Sequence, residues 1–327
     1  MSVGINNIRR AAARLRGVAV KTPILQNRHL NEQVGARVYM KLECLQHIGA
    51  FKFRGAYNRL CQLDESQRAL GVVAFSSGNH AQGIALAAKL LGIKATIVMP
   101  TDAPILKLEG TERLGATILP YDRATESRET IAANIAASTG AILVPAFDDP
   151  DVIAGQGTCG LEIMEQLAAL DIVADQVLTP CGGGGLLAGT STAVKAISAA
   201  TKIYGVEQEN YDDHLLSKRT GERVKVDGTM PTMCDALMAT TPGEITWSIN
   251  SKTVDDFLVV SEDNIAHAIS YAFRHLKLIV EPGGVVALAA LLANKLEVKD
   301  KTVAIVLSGG NIDRNTFLRC LEQHPSP

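Results

Sequence analysis

Apolar positions along this chain gather into short continuous runs rich in Val and Ile, and each run is followed by a Gly/Ser cluster and then by an Ala/Leu-rich stretch of helical period. The pattern recurs at GVVAF (71–75) before IALAAKLLG and at ATIVMP (95–100) before a charged helix. It returns at DQVLTP (175–180) before LLAGTSTAVKAIS, at KIYGVE (202–207) and at KTVAIVLSGG (301–310). Runs apolar on both sides of the pleat, alternating with helices, predict parallel strands covered on both faces. The expectation is an α/β protein with open parallel sheets and helices on both faces, in which ligands sit beyond the carboxyl ends of strands.

At 327 residues the chain is long enough for about two domains. The strand–helix series between about 71 and 147 closes on the turn-rich PAFDDPD (145–151). We therefore expect a small domain over 69–148 and a discontinuous large domain over 1–68 and 149–327. Arg9, Arg10, Arg14 and Arg16 lie on an Ala-rich stretch that precedes the first acidic residue, Glu32. A transit peptide has this character, but a surface helix ending near Gly17 is the preferred reading.

Charge and cysteine content narrow the partners. Lys plus Arg number 32 against 34 Asp plus Glu, a net charge of −2, so there is no global basic field for nucleic acid or an anionic membrane. No apolar run approaches the length of a transmembrane helix. Cys44, Cys61, Cys159, Cys181, Cys234 and Cys320 form no CxxC pair, which argues for a reducing, cytoplasmic setting rather than a disulfide scaffold. Any anion must be held locally, by backbone.

Two loops offer this. In CGGGGLLAG (181–189), after one strand and before a helix, four consecutive glycines can turn several N–H groups toward a phosphate at a helix N-terminus. The same residues present a rival: Gly183, Gly185 and Ala188 fit G-x-G-x-x-A, and Glu207 follows about 20 residues on, as a dinucleotide site needs for its ribose. A nicotinamide-dependent oxidoreductase is thus a competing reading. The second loop, SSGNHAQG (76–83), could take a smaller anion such as a carboxylate, and Asn79, His80 and Gln82 exceed what a helix cap requires.

Lys52 stands between Phe51 and Phe53 in GAFKFRGAYN (49–58). An apolar enclosure lowers a lysine's pKa and frees its amine to attack carbonyls. In LSGGN (307–311), Ser308 at a strand end can hydrogen-bond a pyridine nitrogen without charging it, which leaves a weaker electron sink suited to losing a β-substituent. A Schiff-base lysine, a phosphate loop and a carboxylate loop together describe pyridoxal phosphate chemistry on amino acids.

In order and spacing the motifs TPIL (22–25), KLECLQ (41–46), FKFRGA (51–56), SSGNHAQ (76–82), IAGQGT (153–158), CGGGGLLAG, YGVE (204–207) and LSGGN resemble the fold-type II pyridoxal phosphate enzymes. Within these the match is to the serine/threonine dehydratase and serine racemase branch. The resemblance implies that Lys52 carries pyridoxal 5'-phosphate as a Schiff base and acts as catalytic base. It implies that Asn79 meets the phenolic oxygen, Gly182, Gly183, Gly184, Gly185 and Leu186 the phosphate, and Ser308 the pyridine nitrogen. Ser76, Ser77, Gly78, Asn79, His80 and Gln82 would hold the substrate, with Ser77 as a second catalytic group able to return a proton. Glu207, Asp213 and the Tyr211 carbonyl would bind a divalent cation, Mg²⁺, Ca²⁺ or Mn²⁺.

The chain departs from the commoner pattern at Ala50 and Ala236, and at Asn27, Arg28 and Leu114, where the nucleotide-binding surface of animal serine racemases is poorly kept. The expected activity is β-elimination from a hydroxy amino acid such as L-threonine or L-serine to a 2-oxo acid and ammonia. Serine racemisation and threo-3-hydroxyaspartate dehydration are the alternatives. The resemblance also implies a homodimer.

Overall fold

A computed structural model of the chain describes residues 3–103 and 105–325. Among the described residues ten strands fall into two sheets. β1 (Ile24–Leu25) and β2 (Arg37–Leu42) belong to the larger sheet, and β3 (Val72–Phe75), β4 (Ala95–Pro100), β5 (Thr117–Tyr121) and β6 (Ile142–Leu143) to the smaller. The chain then returns to the larger sheet with β7 (Gln176–Pro180), β8 (Lys202–Gln208), β9 (Asp256–Val260) and β10 (Thr302–Leu307). The spatial orders are β1-β2-β10-β7-β8-β9 and β5-β4-β3-β6. Every pairing is parallel except the short antiparallel β1–β2 contact.

Burial explains why the central strands read as unbroken apolar runs. All residues of β7 and β10 are buried on both faces, whereas β5, at the edge of the small sheet, is largely exposed. The helix Pro282–Leu292, buried along nearly its whole length, packs on the large sheet, and the Ala-rich helix Asn79–Leu91 packs on the small one. Among the described residues no helix is long and apolar enough to cross a membrane.

The two sheets are joined through helices that approach with almost no side chain between them. Lys52–Leu60 lies against both Asn79–Leu91 and the long helix Pro150–Ala168. A Cβ at Gly155 would stand 2.6 Å from the Arg54 carbonyl oxygen, and one at Gly189 would stand 2.5 Å from the Gly157 nitrogen. The IAGQGT motif is therefore a helix-packing device: its glycines let backbones touch and set the helix bearing Lys52 between the sheets.

Candidate active site

β3, β7 and β10 end toward one cavity, and the loops after them supply its walls. Ser76, Ser77 and Gly78 lead into the helix Asn79–Leu91, and Gly182–Gly184 lead into the helix Gly185–Ile197, so two helix N-termini face the same space. Ser308 closes β10. Its backbone is clamped on both sides, with N–H to the Gly284 carbonyl at 3.1 Å and carbonyl accepting from Phe51 at 3.0 Å. That second bond places the residue before Lys52 at the strand end.

Lys52 Nζ lines the cavity and donates to the Ala146 carbonyl at 2.7 Å. Burial, opposed by the Glu281 carboxylate, holds the amine down to about 8 from an ordinary 10.5. Glu281 is the mirror case. Burial and then Asp235 push its carboxyl up to about 7, against the pull of Lys107, Asn79 and Lys52. His80 is driven down to about 3 by burial and by Lys52, and its Nε2 lies 3.0 Å from the Val144 carbonyl, so the ring is neutral with that nitrogen donating.

The glycine loop shows where its backbone points. The carbonyl of Gly183 accepts from Thr246 Oγ1 at 2.8 Å and that of Gly184 from Asn250 Nδ2 at 3.3 Å. Among the described residues none of the N–H groups from Gly182 to Leu186 donates to a protein acceptor. Carbonyls turned inward and N–H groups left over make an anion cradle at a helix N-terminus. Gly184 sits at φ +90°, in the left-handed region, and a Cβ there would lie 2.6 Å from His214 Nε2. Gly185 rests directly on Phe147, whose neighbour Asp148 caps the helix Glu244–Thr253 through the N–H groups of Glu244, Ile245 and Thr246.

Asn79 is held from two sides. Its Nδ2 donates to Glu281 Oε1 at 2.5 Å, and its Oδ1 accepts from Asn311 at 2.7 Å. One N–H remains for a ligand. Gln82 is the expected site residue that the fold takes elsewhere: it is absent from the cavity wall and its amide packs against Gly110. At i+3 from Asn79 it lies on the same side of the helix but about one turn further from the N-terminal end that lines the cavity. Sequence reading missed Glu281, Lys107, Arg128 and Asp235, all on the cavity wall. Glu281 did leave a trace, an acid immediately before the Pro282 that opens a helix, but nothing local distinguishes that from ordinary capping.

Glu207, Tyr211 and Asp213 lie outside the cavity, next to His214, which stands against Gly184 of the glycine loop. The two Glu207 oxygens accept the N–H groups of His214 and Leu215, both at 2.9 Å. This overturns the ribose role: Glu207, in β8, is fully buried with its carboxylate spent on the first turn of the helix Asp213–Thr220 and cannot reach a dinucleotide. Asp213 is buried, with Oδ2 3.3 Å from His214 Nδ1 and no well-aligned hydrogen bond to either oxygen, and burial pushes the Glu207 and Asp213 carboxyls up against the pull of His214. The Tyr211 hydroxyl sits 2.9 and 2.8 Å from the carbonyls of Gly228 and Met230.

Comparison with known proteins agrees with this geometry. The family described as "Pyridoxal-phosphate dependent enzyme" matches residues 15–309. An L-threo-3-hydroxyaspartate ammonia-lyase of Pseudomonas sp is 44% identical, covering 97% of this chain and 98% of that protein. An L-threonine ammonia-lyase of Thermotoga maritima is 43% identical over 98% of this chain and 79% of its own length. The structure of maize serine racemase superposes with a TM-score of 0.92 at 37% identity, covering 99% of this chain and 98% of that one. An enclosed lysine, an anion cradle at a helix N-terminus and these relatives converge, and the chain belongs to the pyridoxal-phosphate dependent enzyme family.

Proposed function

We propose that the chain is an ammonia-lyase that converts a small hydroxy amino acid, L-threonine, L-serine or L-threo-3-hydroxyaspartate, to a 2-oxo acid and ammonia. The observation that carries it is Lys52, an amine held down to about 8 in the same cavity as an unspent row of glycine N–H groups. Gly182 to Leu186 would hold the phosphate, Lys52 the aldehyde carbon, Ser308 the pyridine nitrogen and the free N–H of Asn79 the phenolic oxygen. Bound there, pyridoxal phosphate supplies the electron sink that acidifies the α-proton of an attached amino acid. The neutral Lys52 amine accepts that proton, because a base with a pKa near the working pH combines a deprotonated population with useful basicity. The loop from Ser76 to Asn79 would orient the substrate carboxylate, and neutral His80 adds no competing charge beside the amine.

Arg128, on the cavity wall with its guanidinium 5.4 Å from the Phe75 ring centre, supports L-threo-3-hydroxyaspartate in particular, since a second substrate carboxylate would meet a cation there. Two buried carboxylates, with no well-aligned hydrogen bond to Asp213, support a divalent cation, Mg²⁺, Ca²⁺ or Mn²⁺, at Glu207, Asp213 and the Tyr211 carbonyl. All six cysteines are unpaired, which supports a reducing compartment, the cytoplasm.

Borohydride reduction of cofactor-loaded protein tests the cofactor assignment: the adduct is expected on the peptide bearing Lys52, and an adduct elsewhere or none overturns it. The substrate assignment is read from keto-acid release and D-isomer formation on L-threonine, L-serine and L-threo-3-hydroxyaspartate. Prompt serine inversion with negligible keto acid replaces the lyase by a racemase.

A further inference from the structure

We propose that Lys107 completes the seat for the substrate α-carboxylate, and that Asp235 is the internal carboxylate that holds this ammonium at the cavity mouth until a substrate carboxylate competes for it. The inference rests on the amino-acid reading of the cavity given above and adds to it a positioning residue from the helix that follows β4. Lys107 lies on that helix, Ile105–Arg113, and Asp235 opens the short turn Asp235–Leu237 between β8 and β9 of the larger sheet. Their side chains are ion-paired at the cavity wall, where the ammonium is 13% exposed and the carboxylate 44%. Both residues also line an adjoining cavity together with Thr232, Glu262 and Arg319, so the pair stands between the two spaces. A half-exposed pair of this kind adds little stability and can be exchanged for a better-placed anion.

Geometry aims Lys107 at the substrate loop. Its Nζ lies 4.0 Å from where a Cβ on Gly78 would stand, beside the start of the helix Asn79–Leu91. That helix has no side-chain cap, and among the described residues the N–H groups of Asn79, His80 and Ala81 donate to no protein acceptor. A carboxylate seated on them meets a full positive charge as well as the helix dipole. The same ammonium pulls the Glu281 carboxyl down while Asp235 pushes it up, so both members of the pair are felt inside the cavity. Arg128 stands against Phe75 at the other end of the loop, which leaves it for a second carboxylate rather than the first.

A simple tie between the two sheets would be cut by removing either partner, with the same consequence. Partner exchange makes the two removals act oppositely: loss of Lys107 takes the cation from the carboxylate seat, and loss of Asp235 frees the cation for it.

Titration of cofactor-loaded protein with L-alanine and L-alaninamide, followed by cofactor absorbance, tests this. Neither ligand has a β-hydroxyl to lose, and the amide lacks the carboxylate charge. Lys107→Met is expected to weaken L-alanine by about 10–100-fold, the scale of a hydrogen bond to a charged group, and L-alaninamide by less than about twofold. Asp235→Asn should tighten L-alanine by about twofold to fivefold and leave L-alaninamide unchanged. Equal weakening of both ligands by Lys107→Met, or none, overturns the proposal. So does an Asp235→Asn protein that binds L-alanine no more tightly than the parent, whether or not Lys107→Met folds. A parent absorbance unresponsive to both ligands overturns the amino-acid reading itself, and this proposal with it.

Discussion

Two charged side chains two residues apart on one helix meet opposite surroundings. Arg54 is fully buried and fully paired: it donates to both Glu43 oxygens at 2.7 and 2.8 Å and to both Glu162 oxygens at 2.7 and 2.9 Å, with the fifth N–H on Thr158 and the Val20 carbonyl sharing an Nη2 proton at 3.2 Å. Lys41 completes this group, donating to Glu162, Gln166 and the Thr22 carbonyl. Although desolvation opposes it, this company raises Arg54 well above its ordinary value. Lys52 has one carbonyl and no ion-pair partner among the described residues, and its pKa falls. A buried charge given every partner becomes scaffold, and one left underpaired becomes available to react.

Breaking the reactive side has the largest effect. Lys52→Ala should lower kcat/KM by at least roughly 10²–10⁴-fold, the range for losing a positioned acid–base group, with no borohydride adduct at that position. Its stability in cofactor-free form should stay at or above the parent's, measured by urea unfolding.

The scaffold side should respond in the opposite currency. Arg54→Met strands Glu43 without its main partner and is expected to cost about 3–5 kcal/mol, read by urea unfolding. If that loss is under about 1 kcal/mol, the contrast between the two side chains fails.

The pH dependence of cofactor-free protein sharpens the comparison. Between about 8 and 10.5 the unfolded chain holds a proton on Lys52 that the folded chain has released, so this residue makes stability rise with pH over that window. Lys52→Met should remove the rise and add about 1–3 kcal/mol at pH 7, the lower end reflecting water in the cavity. Glu281 carries the reverse sign: with its carboxyl raised from 4.5 to about 7, its contribution is present at low pH and is lost as pH climbs through about 7. Glu281→Gln should flatten that fall. Equilibrium unfolding at pH 5, 7 and 10 separates the two.

Smallest is the backbone effect at the cradle. Gly184→Ala forces a Cβ into φ +90° and against His214 and Asn250, for an expected loss of about 1–3 kcal/mol. Faster release of cofactor on dialysis is the check that the loop itself has moved.

Much of this site was readable from residue order. Strands that are buried on both faces announce themselves as apolar runs, and β3, β4, β7, β8 and β10 follow the runs that predicted them. The β1, β5, β6 and β9 segments gave no comparable signal: β1 and β6 are two residues long and β5 is an exposed edge strand containing Pro120. Lys52, the glycine loop and Ser308 were legible because each requires a particular residue type next to a strand end or an aromatic pair. Glu281 and Arg128 were not, since an acid before a proline and an arginine at the first position of an Ala-rich helix are ordinary surface chemistry until a fold closes over them.

By itself, then, the sequence determined the alternation of strand and helix, the backbone-based anion loops and the lysine, all of which are set within a few residues of chain. Only the tertiary structure decided that Arg54 is neutralised and Lys52 is not, that Gln82 falls beyond the cavity wall, and that Lys107 pairs with Asp235. Those outcomes depend on which groups meet in a low-dielectric interior, and partners such as Asn79 and Glu281, 202 positions apart in the chain, are brought together by packing alone.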